Sequence, residues 1–248
     1  MLELAKNYRI TFYDQRGSGR SLGGKIDEET INIAAFIEDI EALRDHLELE
    51  KFTLIGHSWG GLLAMEYSIK YSKNLHNLVL LNPAPITYEE QLNFTNDLPK
   101  RLEPIKQKVK GLFNYESFAK LNAREIEAFY KNLFSVYFHD SRNVNKLSLK
   151  FTELSAKSGM KIYEKIDKTS WLQENYDLRP VLSKLNIPTL IISGDSDIVS
   201  LSAIGEINEN ILGSELIVLE KCGHFPFVEC KKQFFYEIEN FLSPYSNR

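Results

Sequence analysis

Ile33, Phe36, Ile37, Ile40, Leu43 and Leu47 recur at intervals of three and four along the chain. That spacing lines one face of an α-helix and predicts an amphipathic helix over residues 31–48. Four short apolar runs follow a different rule: 52–55 (FTLI), 78–81 (LVLL), 189–193 (TLIIS) and 216–219 (LIVL). Each is four or five residues long and bounded by glycine, proline or polar residues, which predicts buried strands. Residues 8–13 (YRITFY), rich in β-branched and aromatic side chains, also predict a strand. Helical patterns alternate with these runs at 62–71, near 202–209, and through Phe234, Phe235, Ile238, Phe241 and Leu242. Such alternation predicts an α/β fold with a mostly parallel sheet covered on both faces.

Between Tyr88 and Asn175 the texture is helical, without strand runs. This stretch carries 13 of the chain's aromatic residues, among them Phe113, Phe118, Phe129, Tyr130, Phe134, Tyr137, Phe138 and Trp171. The expectation is a helical cap over 88–175, set on a core formed by 1–87 and 176–248. Its aromatics would build a small core of their own, and some would wall a pocket for an apolar group.

Composition narrows the choice of partner. The net charge of −4, from 30 basic and 34 acidic side chains, offers no electrostatic reason to bind nucleic acid. The apolar runs are too short to span a bilayer, so no membrane insertion is expected. Residues 1–6 (MLELAK) do not resemble a signal peptide. Two cysteines, Cys222 and Cys230, form no C-x-x-C pair, which favours a reducing, cytoplasmic setting. No histidine or carboxylate set has metal-ligand spacing, so no metal is expected; no cofactor is implied either, because the chemistry of the candidate residues needs only water.

The chemistry is carried by Gly56-His57-Ser58-Trp59-Gly60. A G-x-S-x-G between a strand and a helix is the context of a nucleophile elbow, in which glycines two residues to either side relieve a tight turn. Ser58 would stand at a helix N-terminus, where free N–H groups favour developing negative charge. Serine needs a base, and later strand ends supply candidates in the order acid, then histidine. His224 follows the 216–219 run. Asp197 and Asp195 follow the 189–193 run; Asp197 is the expected orienting acid, and Asp195, next to Gly194, the expected turn residue. His57 is expected to buttress the turn, His46, His76 and His139 to lie at the surface, and Cys222 to pack. The lysine- and arginine-rich stretch 100–110 is expected to be a solvated helix face.

With Ser58, Asp197 and His224 in place, the chain resembles the α/β-hydrolases over nearly its whole length. Residues 14–21 (DQRGSGRS) and 56–61 (GHSWGG) resemble the proline iminopeptidases in particular, enzymes that remove an N-terminal proline. The resemblance implies that Ser58 attacks the scissile carbonyl and that the Trp59 backbone N–H donates to the oxyanion. Asp14 and Arg16 would shape the adjoining turn. The implied substrate is a short peptide or other small molecule. The alternatives are a small ester, lactone or thioester cleaved by the same triad, and a degraded hydrolase that only binds.

Two departures stand out. None of Glu89, Glu90, Glu125 and Glu127 aligns with the carboxylates that hold the substrate amine in that family. The His-Gly-Gly-Pro-Gly type of segment, source of a second oxyanion donor, is absent; the sequence has no His-Gly pair. The first strands of the family's sheet would then be missing, the expectation being an N-terminal truncation. Either residues 8–13 move over to pair with 52–55, or a groove is left beside that strand.

Overall fold

Four parallel strands, in the order in which they occur along the chain, make the sheet of the computed structural model, which describes residues 1–149, 151–169 and 173–245. They are β1 (Phe52–His57), β2 (Leu75–Leu81), β3 (Thr189–Gly194) and β4 (Glu215–Leu219). Side-chain alternation divides the interior in two. Leu78 and Leu80 of β2 and Ile191 of β3 face a cluster with Ile37, Met65, Tyr67 and Ile204. Val79, Leu81, Leu190 and Ile192 face the opposite cluster, with Leu4, Phe234 and Ile238. Burial on both sides explains why β2 and β3 read as continuous apolar runs.

Helices α1 (Ile33–His46), α2 (Trp59–Tyr71) and, later in the chain, the helices Leu201–Asn210 and Lys231–Leu242 cover the two faces. The helix expected over 31–48 starts at Ile33 because the Asn32 side chain accepts the Ala35 N–H at 2.9 Å and caps it. The segment between β2 and β3 is helical, as its texture suggested. It contains α3 (Tyr88–Leu102), α4 (Ala123–Ser135), α5 (Glu153–Thr169) and shorter turns. Phe118 and Phe129 do form a local core with Ile126 and Met160. Phe134, Tyr137 and Phe138 instead join Phe225 from the sheet-bearing part. Trp171 lies outside the described residues.

One predicted strand is not formed. Residues 8–13 lie outside every ladder. Tyr8 and Ile10 lean on the second cluster and Tyr13 on the first, yet their backbone pairs with no strand. A strand needs a neighbour to hydrogen-bond, and β1 is bonded to β2 alone among the described residues. Of the two arrangements expected for this edge, pairing of 8–13 with β1 is therefore ruled out. β1 is half-buried at five of its six positions, whereas β3 is buried throughout.

Register brings the functional loops to one rim. His57 of β1 lies opposite Leu81 of β2, Leu81 opposite Ile192 of β3, and Gly194 opposite Leu219 of β4. The bonding continues one residue past the strands: Ser58 N–H to Leu81 O at 3.0 Å, Asn82 N–H to Ile192 O at 2.8 Å, and Asp195 N–H to Leu219 O at 3.0 Å. The loops that start at Ser58, Asn82 and Asp195 thus leave the sheet side by side.

Candidate active site

Ser58 sits between β1 and α2 with φ +56° and ψ −121°, outside the regions that non-glycine residues prefer. Such strain costs of order 1–3 kcal/mol and persists only where the surroundings impose it. They do so here. The Ser58 carbonyl accepts the N–H groups of Gly61 at 2.8 Å and Ala84 at 3.2 Å, so the turn is tied both to α2 and to the loop after β2. The glycines divide differently from the simple expectation. A Cβ on Gly56 would meet Gly60 O at 2.2 Å, and one on Gly61 would meet Pro83 Cβ at 2.8 Å, whereas one on Gly60 would meet nothing. Gly56 and Gly61 are the residues the turn requires sterically.

Asp197 and His224 meet in the interior. The His224 Nδ1–H donates to Asp197 Oδ1 at 2.6 Å, with the two residues 3% and 4% exposed. A carboxylate can only accept, so Nδ1 carries the proton and neutral His224 has Nε2 free to act as a base. Burial works to raise the Asp197 carboxyl. The adjacent imidazole, with the Asn82 side chain and the Ile198 N–H, outweighs it and holds the group below its ordinary range. The Ser58 hydroxyl makes no hydrogen bond among the described residues, to His224 included. Hydrogen bonds of this kind commonly tighten only when substrate is bound. The His57 and His224 rings, centroids 4.7 Å apart, bring the neighbouring residue of Ser58 against the imidazole.

The other predicted residues occupy supporting positions. Asp195 accepts the Lys221 N–H at 2.9 Å and the Cys222 N–H at 3.2 Å, tying the turn that leads to His224. The His57 Nε2–H donates to the His224 carbonyl at 2.7 Å. Although its side chain is only half-buried, desolvation, helped by the nearby His224, pushes His57 down to about 3. It stays neutral and structural. Cys222 is buried in the second cluster as a free thiol that burial pushes upward. His46 and His139 are exposed and His76 half-buried. His139 Nδ1 nonetheless lies 2.8 Å from Ser196 Oγ, beside the acid loop.

The four glutamates discussed above are engaged elsewhere or simply exposed. Glu90 accepts the Ser202 hydroxyl at 2.9 Å, Glu125 caps its own helix through the Asn122 N–H, and Glu127 pairs with Lys131 at 2.7 Å. Glu89 is exposed. The DQRG turn is fastened by Arg16, which donates to both Asp39 oxygens at 2.6 Å and to the carbonyls of Thr30 and Ala35. Asp14 closes the same turn by accepting the Arg20 N–H at 3.0 Å.

Three partners escaped sequence reasoning. Asn82 donates to Asp197 Oδ2 at 2.6 Å. Arg101, placed by sequence on a solvated face, is exposed along its length but its guanidinium donates to the backbone carbonyls of Ser196 and Asp197. Glu229 accepts the N–H groups of Gly223, His139 and Asp140, clamping the histidine loop to the helical segment. The Tyr137 carbonyl completes that clamp by accepting the His224 N–H at 2.7 Å. None of the three carries a signal in the sequence that names its partner.

Among the described residues no cluster of His, Cys, Asp and Glu could hold a metal ion, and no helix is long and apolar enough to cross a membrane.

Comparison with known proteins points to one fold family. A proline iminopeptidase of Saccharolobus solfataricus is 28% identical over 244 residues, covering 95% of this chain and 77% of that protein. One from Lactobacillus helveticus is 28% identical over 236 residues, covering 89% of this chain and 75% of its own. Among solved structures, an alpha/beta fold family hydrolase from Bacillus anthracis superposes with a TM-score of 0.69 at 19% identity, over 92% of this chain and 80% of the other. A proline iminopeptidase from Mycobacterium smegmatis gives 0.67 at 16% identity, over 94% and 79%. The family model described as alpha/beta hydrolase fold matches residues 2–230, and the chain belongs to that family.

Proposed function

We propose that the chain is a serine hydrolase in which Ser58, His224 and Asp197 form the catalytic triad, acting as a proline iminopeptidase on short peptides. The observation that carries this reading is the buried Asp197–His224 pair, 2.6 Å apart, on the same rim as a serine held at φ +56°. His224 Nε2 takes the proton of Ser58 Oγ as the oxygen attacks the substrate carbonyl. The negative charge that forms on the carbonyl oxygen meets the Trp59 N–H at the start of α2. His224 then gives its proton to the leaving amine, and the C–N bond breaks. Water, deprotonated by the same imidazole, hydrolyses the Ser58 ester and restores the serine. Asp197 holds the tautomer and balances the transient imidazolium. No cofactor takes part. Residues 88–175 serve as the cap, and the free thiols fit a cytoplasmic site of action.

The sequence likeness to proline iminopeptidases supports the peptide substrate. A small ester or lactone is the second reading, favoured by the engagement of Glu90, Glu125 and Glu127 in contacts within the fold. Hydrolysis of proline β-naphthylamide and of p-nitrophenyl esters, each by wild type and Ser58→Ala, tests both. Proline amide turnover that Ser58→Ala abolishes is the expected result. Ester turnover alone would move the assignment to the second reading. Turnover that survives Ser58→Ala would overturn the triad.

A further inference from the structure

Asn82 is the residue just past β2, and nothing in the expected triad chemistry assigns it a part. Its backbone takes φ +44°, one of four non-glycine positions at positive φ among the described residues. Asparagine tolerates that region far better than most residues, because its short amide can bond locally. The side chain is completely buried. Its Nδ2 donates to Asp197 Oδ2 at 2.6 Å and lies 3.3 Å from the Gly223 carbonyl, while its backbone N–H holds Ile192 of β3. One residue therefore joins the ends of three structural units: β2, the acid loop after β3, and the histidine loop after β4. Its Oδ1 is buried with no hydrogen-bond partner among the described residues.

We infer that Asn82 is a positioning residue: its amide fixes the second oxygen of Asp197, so that the first is aimed at His224 Nδ1. The inference rests on the triad reading for its effect on catalysis, but the geometry it describes exists whether or not the chain is active. The donor matters because Asp197 has two oxygens and His224 uses one. An unrestrained carboxylate could rotate about χ2 and offer either oxygen or neither. The Ile198 N–H reaches the same oxygen as His224, so among the described residues Asn82 is the side chain that grips the other. The remaining charged or titratable groups around the pair are His57 and Tyr137 against the imidazole, Arg101 on the Asp197 carbonyl, and Asp195 and Glu229 on the flanking loops.

Asn82→Asp is the decisive variant. Aspartate keeps the size and tolerates positive φ, but replaces the donor with an acceptor. Two carboxyls this close repel when both are ionised, so once both have lost their protons the added negative charge favours the imidazolium, whereas at lower pH a protonated carboxyl at position 82 would still donate to Asp197. The titration of His224, followed by imidazole NMR and assigned with His224→Gln, should move up by about half a unit or more in Asn82→Asp. Labelling of Ser58 by a fluorophosphonate should slow about tenfold or more at neutral pH, with its midpoint moving up in parallel. Asn82→Gly, which suits the backbone and removes the amide, should slow labelling while keeping a cooperative thermal transition. A His224 titration unchanged in Asn82→Asp, together with Ser58 labelling at the wild-type rate above neutral pH, would overturn the inference. If Asn82→Asp does not fold, wild-type labelling rates in folded Asn82→Gly would overturn it equally. A wild type that folds but takes no label would instead refute the triad reading, and the NMR shift alone would then decide the part played by Asn82.

Discussion

The carboxyl ends of the strands and the outer edge of β1 lie within one small sheet and are built in opposite ways. At the strand ends every loop is tied to its neighbour. Ser58 bonds to β2, Asn82 to β3 and to Asp197, Asp195 to β4, and His224 to both Asp197 and Tyr137. At the outer edge, β1 has no strand beside it among the described residues, and residues 8–13 contribute side chains to the two cores without joining the ladder. The contrast teaches that the site depends on four contiguous strands and their loop crosslinks. Among the described residues, the Asp197–His224 pair and the Ser58 turn form without the sheet extending beyond β1.

Substitutions at the rim should therefore act far more strongly than those at the edge. The largest expected effect belongs to Asp197→Asn. It preserves shape but favours the wrong histidine tautomer, and kcat for ester or proline amide hydrolysis should fall by about 10⁴. A loss below tenfold would make the buried pair a structural feature.

Gly56→Ala comes next. Its methyl would press on Gly60 O at 2.2 Å, backbone against backbone, with no side chain free to yield. Urea unfolding should show a loss of about 1–3 kcal/mol, together with slower labelling of Ser58. Gly60→Ala, which meets nothing, should cost less than Gly56→Ala.

The pH dependence of stability sharpens the same comparison. His57 is held at about 3 in the fold, against 6.5 when unperturbed. The unfolded chain binds this proton first, so the stability it contributes is full above 6.5 and lost as pH falls toward 3. Asp197, depressed in the fold, loses its contribution only below the ordinary carboxylate range. The urea midpoint should therefore drop between pH 6.5 and 4.5, and His57→Gln, which retains a donor for the His224 carbonyl, should flatten that slope. An unaltered slope would remove His57 from the account.

The smallest effect is expected at the edge. Phe12 is 59% exposed, and Phe12→Ser should change stability by no more than about 0.5 kcal/mol and leave labelling of Ser58 unaltered. A large loss of labelling would show that the edge and the rim are coupled.

Most of the sheet was legible in the sequence because β2 and β3 are buried on both faces and read as unbroken apolar runs. The elbow was legible as Gly56 and Gly60 flanking Ser58, although its sterics demand Gly56 and Gly61 and leave Gly60 free. Residues 8–13 misled, since β-branched and aromatic composition reports fitness for a pleated surface and says nothing about whether a neighbour is there to bond. Asn82, Arg101 and Glu229 were hidden for another reason. Each acts on a loop far away in sequence, and a lone polar residue after a strand or on a basic helix has no periodicity to betray its partner. Arg101 shows this best: its lysine-rich surroundings are solvated, yet its guanidinium caps the acid loop.

The central claim is that Ser58 is made nucleophilic by His224. The most direct test is to react folded wild type, Ser58→Ala and His224→Ala with a fluorophosphonate and locate the adduct by mass spectrometry. The account predicts rapid modification of wild type at Ser58, none in Ser58→Ala, and slowing by about 10³-fold or more in His224→Ala. Folded wild type that stays unmodified, or an adduct on Ser58 that forms equally fast without His224, would contradict it.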